Sequence, residues 1–175
     1  MSSRPLFHRG RLAGRLAAAG LFLAAAAAVA AAGPSLVVDA DHSTAVSAPG
    51  SDHGKATYTG HVLITRGPTV IHGDRADVYT RAQRLDRAVV TGSPATFTWH
   101  GKNGRPVDGH ARTITYRAAN NTVTLEGKAV VVRGDERFSA SRAVYALDTQ
   151  TLTAHGNGHE RVHVVVPPAA GTGGQ

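Results

Sequence analysis

The sequence predicts an all-β domain built from stacked antiparallel hairpins. Three observations carry that expectation. Apolar and polar residues alternate with period two in segment after segment, as in Phe97 and Trp99 against Thr96, Thr98 and His100. Turn formers are abundant, with 20 Gly among 175 residues, and they fall between the alternating segments. No stretch beyond residue 33 keeps an apolar 3.6-residue period over three turns, so no substantial helix is expected in the body.

Residues 1–15 are basic and Leu16–Val29 form an unbroken, Ala-rich apolar run. Ala30, Ala31 and Ala32 then offer small side chains ahead of Gly33. Residues 1–32 thus read as a secretory signal peptide, with a run whose length also suits an uncleaved N-terminal anchor. In either case the body lies outside the cytoplasm. The folded domain is expected over 33–167, and the Pro/Gly/Ala-rich residues 168–175 as a disordered tail.

Within the domain, Leu36–Val38 opens extended structure, and Ser47–Gly54 has turn composition throughout. Lys55–Thr59 restarts a strand that ends at Gly60. The chain then repeats itself. Gly73–Tyr79, Gly109–Tyr116 and Ala140–Tyr145 each begin with a small residue, carry an early Arg and reach a Tyr. Each is followed by a polar turn and a second alternating strand closing on glycine: Gly92, Gly127 and Gly156. A further echo links Gly60-His-Val-Leu-Ile-Thr-Arg-Gly67 to Gly127-Lys-Ala-Val-Val-Val-Arg-Gly134. Each unit is a short hairpin that cannot bury its own face, so neighbours must stack. Pro94–Tyr116 is the most informative hairpin: two alternating strands with a polar loop at Gly101–Gly109, carrying the only Trp. Arg161–Val166 is the expected last strand.

One parity of many strands is apolar: Val62 and Ile64, Ala76 and Val78, Phe97 and Trp99, Ile114 and Tyr116, Val123 and Leu125, Val130 and Val132, Val162 and Val164. These residues fill a closed core if two layers meet face to face. If the layers splay apart, the same residues line a groove for an apolar ligand.

Several chemistries find no support. With no cysteine there is no disulfide, thiol nucleophile or Cys-based zinc site. Nucleophile-elbow, P-loop and H-E-x-x-H motifs are missing. Of the ten histidines the closest set is His155, His159 and His163, whose intervening glycines disfavour a shared helical face. The carboxylate pairs Asp74/Asp77 and Asp135/Glu136 fall at turns or strand starts, where Asp ordinarily bonds the backbone. No catalytic residue, metal or cofactor is expected. The charge of +7 includes four arginines ahead of the apolar run; taking those away leaves +3, which does not by itself argue for nucleic acid.

Pro94-Ala-Thr-Phe97, Asn103-Gly-Arg-Pro-Val-Asp-Gly-His-Ala111, Tyr116 and Leu125-Glu-Gly127 together resemble the LptA/OstA-like family of periplasmic lipopolysaccharide export proteins. Tyr58-Thr-Gly-His-Val62, Gly73-Asp-Arg-Ala76 and Arg161-Val-His-Val-Val-Val-Pro167 extend the resemblance from about Leu36 to Pro167. It implies an open, twisted antiparallel β-jelly-roll whose interior takes the lipid A part of lipopolysaccharide. It implies a carrier in the periplasm, not an enzyme. The partners it implies are an LptC-like inner-membrane protein, an LptD-like outer-membrane translocon and further copies joined head to tail. On this reading Val62, Ile64, Val78, Phe97, Trp99, Ile114, Tyr116, Val123, Leu125, Val130 and Val132 contact lipid. Edge strands bearing Leu36, Val38, Val162 and Val164 form the protein interfaces. Arg66, Arg75, Arg112, Arg133 and Arg142 are candidates to meet lipid phosphates. A retained N-terminal helix would instead favour an anchored, LptC-like member. Two readings of other classes are a β-solenoid enzyme acting on polysaccharide and a structural envelope protein with a closed core.

Overall fold

The structure is a computed structural model that describes residues 33–47, 50–101, 106–159 and 161–166. The stretch 1–32 expected as a signal peptide, residues 168–175 expected as a tail, and the Asn103–Arg105 part of the family-like motif lie outside the described residues. Among those described there is no helix. Ten strands follow in chain order: β1 (Leu36–Asp39), β2 (His42–Ser47), β3 (His53–Arg66), β4 (Thr69–Arg81), β5 (Arg84–His100), β6 (Pro106–Arg117), β7 (Thr122–Arg133), β8 (Glu136–Ala146), β9 (Thr151–His155) and β10 (His163–Val165). All pairings are antiparallel, in the order β1-β3-β4-β5-β6-β7-β8-β10, with β2 also on β3 and β9 also on β8.

The register explains how one sheet encloses a core. Every long strand pair slips near its middle: between Thr59 and Val62, His72 and Arg75, Thr91 and Ala95, His110 and Thr113, Glu126 and Ala129. These irregularities line up across the sheet as a corner. A bulge bends a strand and re-aims its side chains. In β5 the buried residues are Ala88 and Val90 before the corner but Ala95, Phe97 and Trp99 after it, a switch of parity. The two halves of each strand therefore belong to two half-sheets. One half-sheet runs β2-β3-β4-β5-β6-β7-β8-β9; the other runs β1-β3-β4-β5-β6-β7-β8-β10. Their inner faces meet: Trp99 of the second packs edge-on against Tyr145 of the first, with ring centroids 5.7 Å apart.

Two glycines make the corner possible on β3 and β7. Gly60 and Gly127 both have φ of +81°, and each is followed by a residue also at positive φ, His61 and Lys128. A side chain at either glycine would be strained.

The expected all-β, open antiparallel jelly-roll is what is observed. Local expectations need correction. The strands expected to end at Gly60, Gly92 and Gly127 run on through those glycines as β3, β5 and β7, because the chain bends there at a bulge without leaving the sheet. The stretch before the Ser47–Gly54 turn contains β2, which is exposed along its whole length and so shows no alternation in burial. The loop of the Pro94–Tyr116 hairpin is shorter than the Gly101–Gly109 expected, because β6 already starts at Pro106 and Gly109 pairs with Phe97. Val130 and Val132 do not share the inner face. They are half-buried on the outside, and the buried residues of that half-strand are Ala129 and Val131. The cause is the double positive-φ step at Gly127 and Lys128, across which simple period-two counting fails. The sequence echo aligns the two strands correctly: Val62 and Ile64 match Ala129 and Val131, all four buried.

Candidate functional site

The interior is a wedge, graded by side-chain size. Next to the corner, the second half-sheet presents Val62, Ala95, Ala111, Ala129 and Ala140, which let the halves approach closely. One row out come Ile64, Ile71, Phe97, Gly109, Val131 and Phe138. The row beyond holds Thr69, Trp99 and Val107, with Arg66 and Arg133 near the ends. Opposite them the first half-sheet supplies Val90, Ile114, Leu125 and Ala143, then Val78, Ala88, Tyr116, Val123 and Tyr145. Gly109 is small for a packing reason. A Cβ there would sit 2.7 Å from Leu125 Cδ2 and 3.1 Å from the Val130 carbonyl oxygen. The V-x-G-x-A stretch at Val107–Ala111 thus sets the spacing of the two inner faces.

Of the residues expected to contact lipid, Val62, Ile64, Val78, Phe97, Trp99, Ile114, Tyr116, Val123 and Leu125 are all buried in this one interior. Val130 and Val132 are not. Sequence reading missed Ile71, Val131, Tyr145 and Leu147, which share it. No buried side-chain polar atom among the described residues lacks a partner, and the inner rows are apolar apart from Thr69 near the margin.

Hollows open where the wedge meets solvent. At the N-terminal end a space of about 370 Å³ lies among Leu36, Val38, Ala45, Tyr58 and Val78. Along the margin opposite the corner, a space of about 380 Å³ lies beside Trp99, Asn121 and Leu147. A smaller one of about 130 Å³ adds Arg66, Thr69 and Tyr116.

The bonds at that margin decide whether the wedge can open. Backbone bonds of the margin loops stay within a half-sheet: His100 N to Pro68 O (2.9 Å), Ala118 N to Asp86 O (3.0 Å) and Leu147 N to Asn121 O (3.0 Å). Side-chain bonds do likewise. Tyr116 donates to Asn121 Oδ1 at 2.9 Å, and Asn121 donates to Asp148 at 2.6 Å. Across the margin run ring contacts instead, Trp99 edge-on against Tyr145 and the Arg66 guanidinium 5.4 Å over the Tyr116 ring. Burial pushes the Tyr116 phenol above its usual pKa, against the opposing pull of Arg66 and with a small addition from Asp148.

At the ends, β1 places Leu36 and Val38 half-buried on the inner face. At the other end Val164 pairs with Phe138 on the inner side of β10 and is 46% exposed, while Val162 lies just ahead of the strand. His155 and His163 sit opposite Arg142 and Ser139 of β8, in different half-sheets. Among the described residues no three His, Asp or Glu side chains gather as a metal site would require. Asp77 is engaged by Thr57, Lys55 and Arg75 on the outer face, and Glu136 by Arg133.

Comparison with known proteins fits this geometry. The family described as LptA/(LptD N-terminal domain) LPS transport protein matches residues 37–151. The lipopolysaccharide export system protein LptA of Haemophilus influenzae is 33% identical over 116 residues, covering 65% of this chain and 67% of that protein. LptA of Escherichia coli K12 is 31% identical over 115 residues, covering 65% of this chain and 62% of that one. Among solved structures, LptH of Pseudomonas aeruginosa, titled the LptA-homologous periplasmic component of the lipopolysaccharide transport device, superposes with a TM-score of 0.64 at 22% identity. It covers 77% of this chain and 96% of that one, and shows the shared fold. The matched stretch places the chain in the LptA/LptD N-terminal-domain family of lipopolysaccharide transport proteins.

Proposed function

We propose that the protein is a periplasmic lipopolysaccharide carrier. In this reading the acyl chains of lipid A enter the wedge and lie against Val62, Ile64, Val78, Phe97, Trp99, Ile114, Tyr116, Val123 and Leu125. The carrying observation is a predominantly apolar interior whose open margin is crossed by ring contacts and by no hydrogen bond found among the described residues. Spreading the half-sheets gives up dispersion contacts, and each acyl CH₂ taken from water returns about 0.8 kcal/mol. The sheet ends supply the joints. β1, with Leu36 and Val38, and β10, with Val164 and the preceding Val162, offer strand edges to a second copy, to an LptC-like inner-membrane protein and to an LptD-like outer-membrane translocon. The relatives are named as export proteins, which supports transport over catalysis.

Alternation along a strand provides an internal control for the test. Val38 and Ile64 face the interior, whereas their neighbours Val37 and Leu63 face outward. A photo-crosslinking residue at Val38 or Ile64 is expected to form an adduct with lipopolysaccharide, and one at Val37 or Leu63 is not. Equal labelling of both faces, or none at the inner positions, would sink the carrier reading.

A further inference from the structure

The five arginines singled out from sequence differ sharply in their surroundings. Arg75 pairs with Asp77 at 3.1 Å, Arg133 with Glu136 at 2.7 Å and Arg142 with Glu126 at 3.1 Å. Arg112 lies against Gly127, on the outside of the corner. Arg66 shares the lack of an ion pair with exposed Arg112 but differs in its place. It closes β3 on the inner side of the margin, is half-buried, and takes part in none of the ion pairs among the described residues. Its guanidinium lies over the Tyr116 ring and beside the backbone of Gly33, where a Cβ would be 3.4 Å from an Arg66 terminal nitrogen. It lines a hollow that also holds Thr69, Trp99 and Asn121.

A half-buried cation without a carboxylate keeps unused donors. A cation–π contact holds the guanidinium near the ring while leaving N–H groups free for a planar or tetrahedral oxyanion. On the facing half-sheet Asp148 is held by Asn121, with the arginines Arg87 and Arg117 near the ends of β5 and β6 there. The distance from apolar wall to cation is one residue row, since Ile64 lies two positions before Arg66 on the same face. An acyl chain in the wedge places its polar head at this point.

We infer that Arg66 is a specificity-determining residue that reads a phosphate monoester on the head of the bound amphiphile. The inference rests on the carrier reading and adds to it a single-residue site and a ligand chemistry. Tyr116 serves as the positioning residue, holding the guanidinium by its ring face.

The test uses two probes, a bisphosphorylated lipid A and the same lipid with both phosphates removed. Wild-type protein is expected to prefer the phosphorylated probe, with a preference that falls as salt is raised. Arg66→Met keeps most of the stem packing and is expected to lose about tenfold in affinity for the phosphorylated probe only. Arg66→Lys is expected to recover part of that loss as a point charge without the planar fork. Arg66→Gln is the substitute should the Met variant fold poorly. Equal loss for both probes assigns Arg66 a packing role and overturns the proposal. So does an unchanged preference in Arg66→Met, or a wild-type preference insensitive to salt. Wild-type protein that takes up neither probe fails the carrier reading itself, an outcome distinct from binding both probes equally well.

Discussion

The two ends of the sheet carry the same plan but differ in construction. At the N-terminal end, β1 and β2 divide between the halves of β3; at the C-terminal end, β10 and β9 divide between the halves of β8. The N-terminal joint is pinned. Asp41, between β1 and β2, donates its backbone N–H to Gly60 O at 3.0 Å, and its carboxylate meets His61 Nδ1 at 2.8 Å. Leu36 and Val38 pack against the core and bound a hollow. The C-terminal joint is thin. β10 spans three residues, all exposed, and Gly156 and Gly158 stand between it and β9. One end is a preformed apolar edge and the other a short, adaptable strand. Unlike surfaces at the two ends suit a heterologous joint, in which one end of a copy meets the other end of the next.

The largest effect that separates the ends is expected at their glycines. Gly60 and Gly158 share a φ of +81°, but a Cβ at Gly60 would come within 2.8 Å of Asp41 Cβ, whereas nothing lies within 4 Å of one at Gly158. Gly60→Ala combines backbone strain with overlap and is expected to cost about 3 kcal/mol. Gly158→Ala carries the strain alone, at about 1 kcal/mol. Chemical denaturation of the two variants measures the difference, and equal losses would remove the distinction between a pinned and a loose joint.

A smaller effect is expected from charge at the edge strands. Val38→Asp puts a carboxylate into a half-buried apolar hollow and should cost about 2 kcal/mol. Val164 is 46% exposed, so Val164→Asp should change stability by less than about 0.5 kcal/mol while abolishing end-to-end association. Thermal denaturation and light scattering read the two properties separately. Persistent assembly of Val164→Asp would exclude β10 as the joint.

How far the sequence reveals this depends on the local geometry. Where a half-strand is straight, alternation places side chains correctly: Phe97 and Trp99 on β5 and Ile114 and Tyr116 on β6 are all buried as their parity implies. Where a strand turns the corner, counting by two loses its reference. Val123 and Leu125 are buried, yet Val130 and Val132 face out, because two residues at positive φ intervene. The matching Gly-x pairs at Gly60 and Gly127 carry the missing signal, since equivalent bulges must leave equivalent residues inside. Tyr79 shows the opposite hazard. It looks like the counterpart of Tyr145, but it lies outside between Lys55 and Arg87, and Val78 fills the interior position. β2 was invisible because none of its side chains is buried enough to impose a pattern. The special position of Arg66 was equally hidden, since being unpaired is a property of the folded neighbourhood and not of the residue.

The smallest expected difference between the ends is a dependence on pH. The Asp41 carboxylate accepts a hydrogen bond from His61 and attracts its charge, and Asp74 adds a weaker attraction, so His61 holds its proton above the usual histidine range. A raised folded-state pKa means the imidazolium contributes its full stabilisation below the unfolded value near 6.5. That contribution is lost as pH rises through the folded value. Both side chains are largely exposed, so the effect falls on the local joint and not on global stability. Hydrogen exchange at the Asp41 amide, which bonds Gly60 O, should therefore be better protected at about pH 6 than at about pH 8, after correction for intrinsic exchange. His61→Gln should flatten that difference. The paired amides of β10 should show no matching trend, because no carboxylate–imidazole pair bridges that joint among the described residues. A pH trend of equal size at β10 would mean that the two ends loosen together, and the N-terminal edge would then owe its order to the core contacts of Leu36 and Val38 and not to the Asp41 clasp.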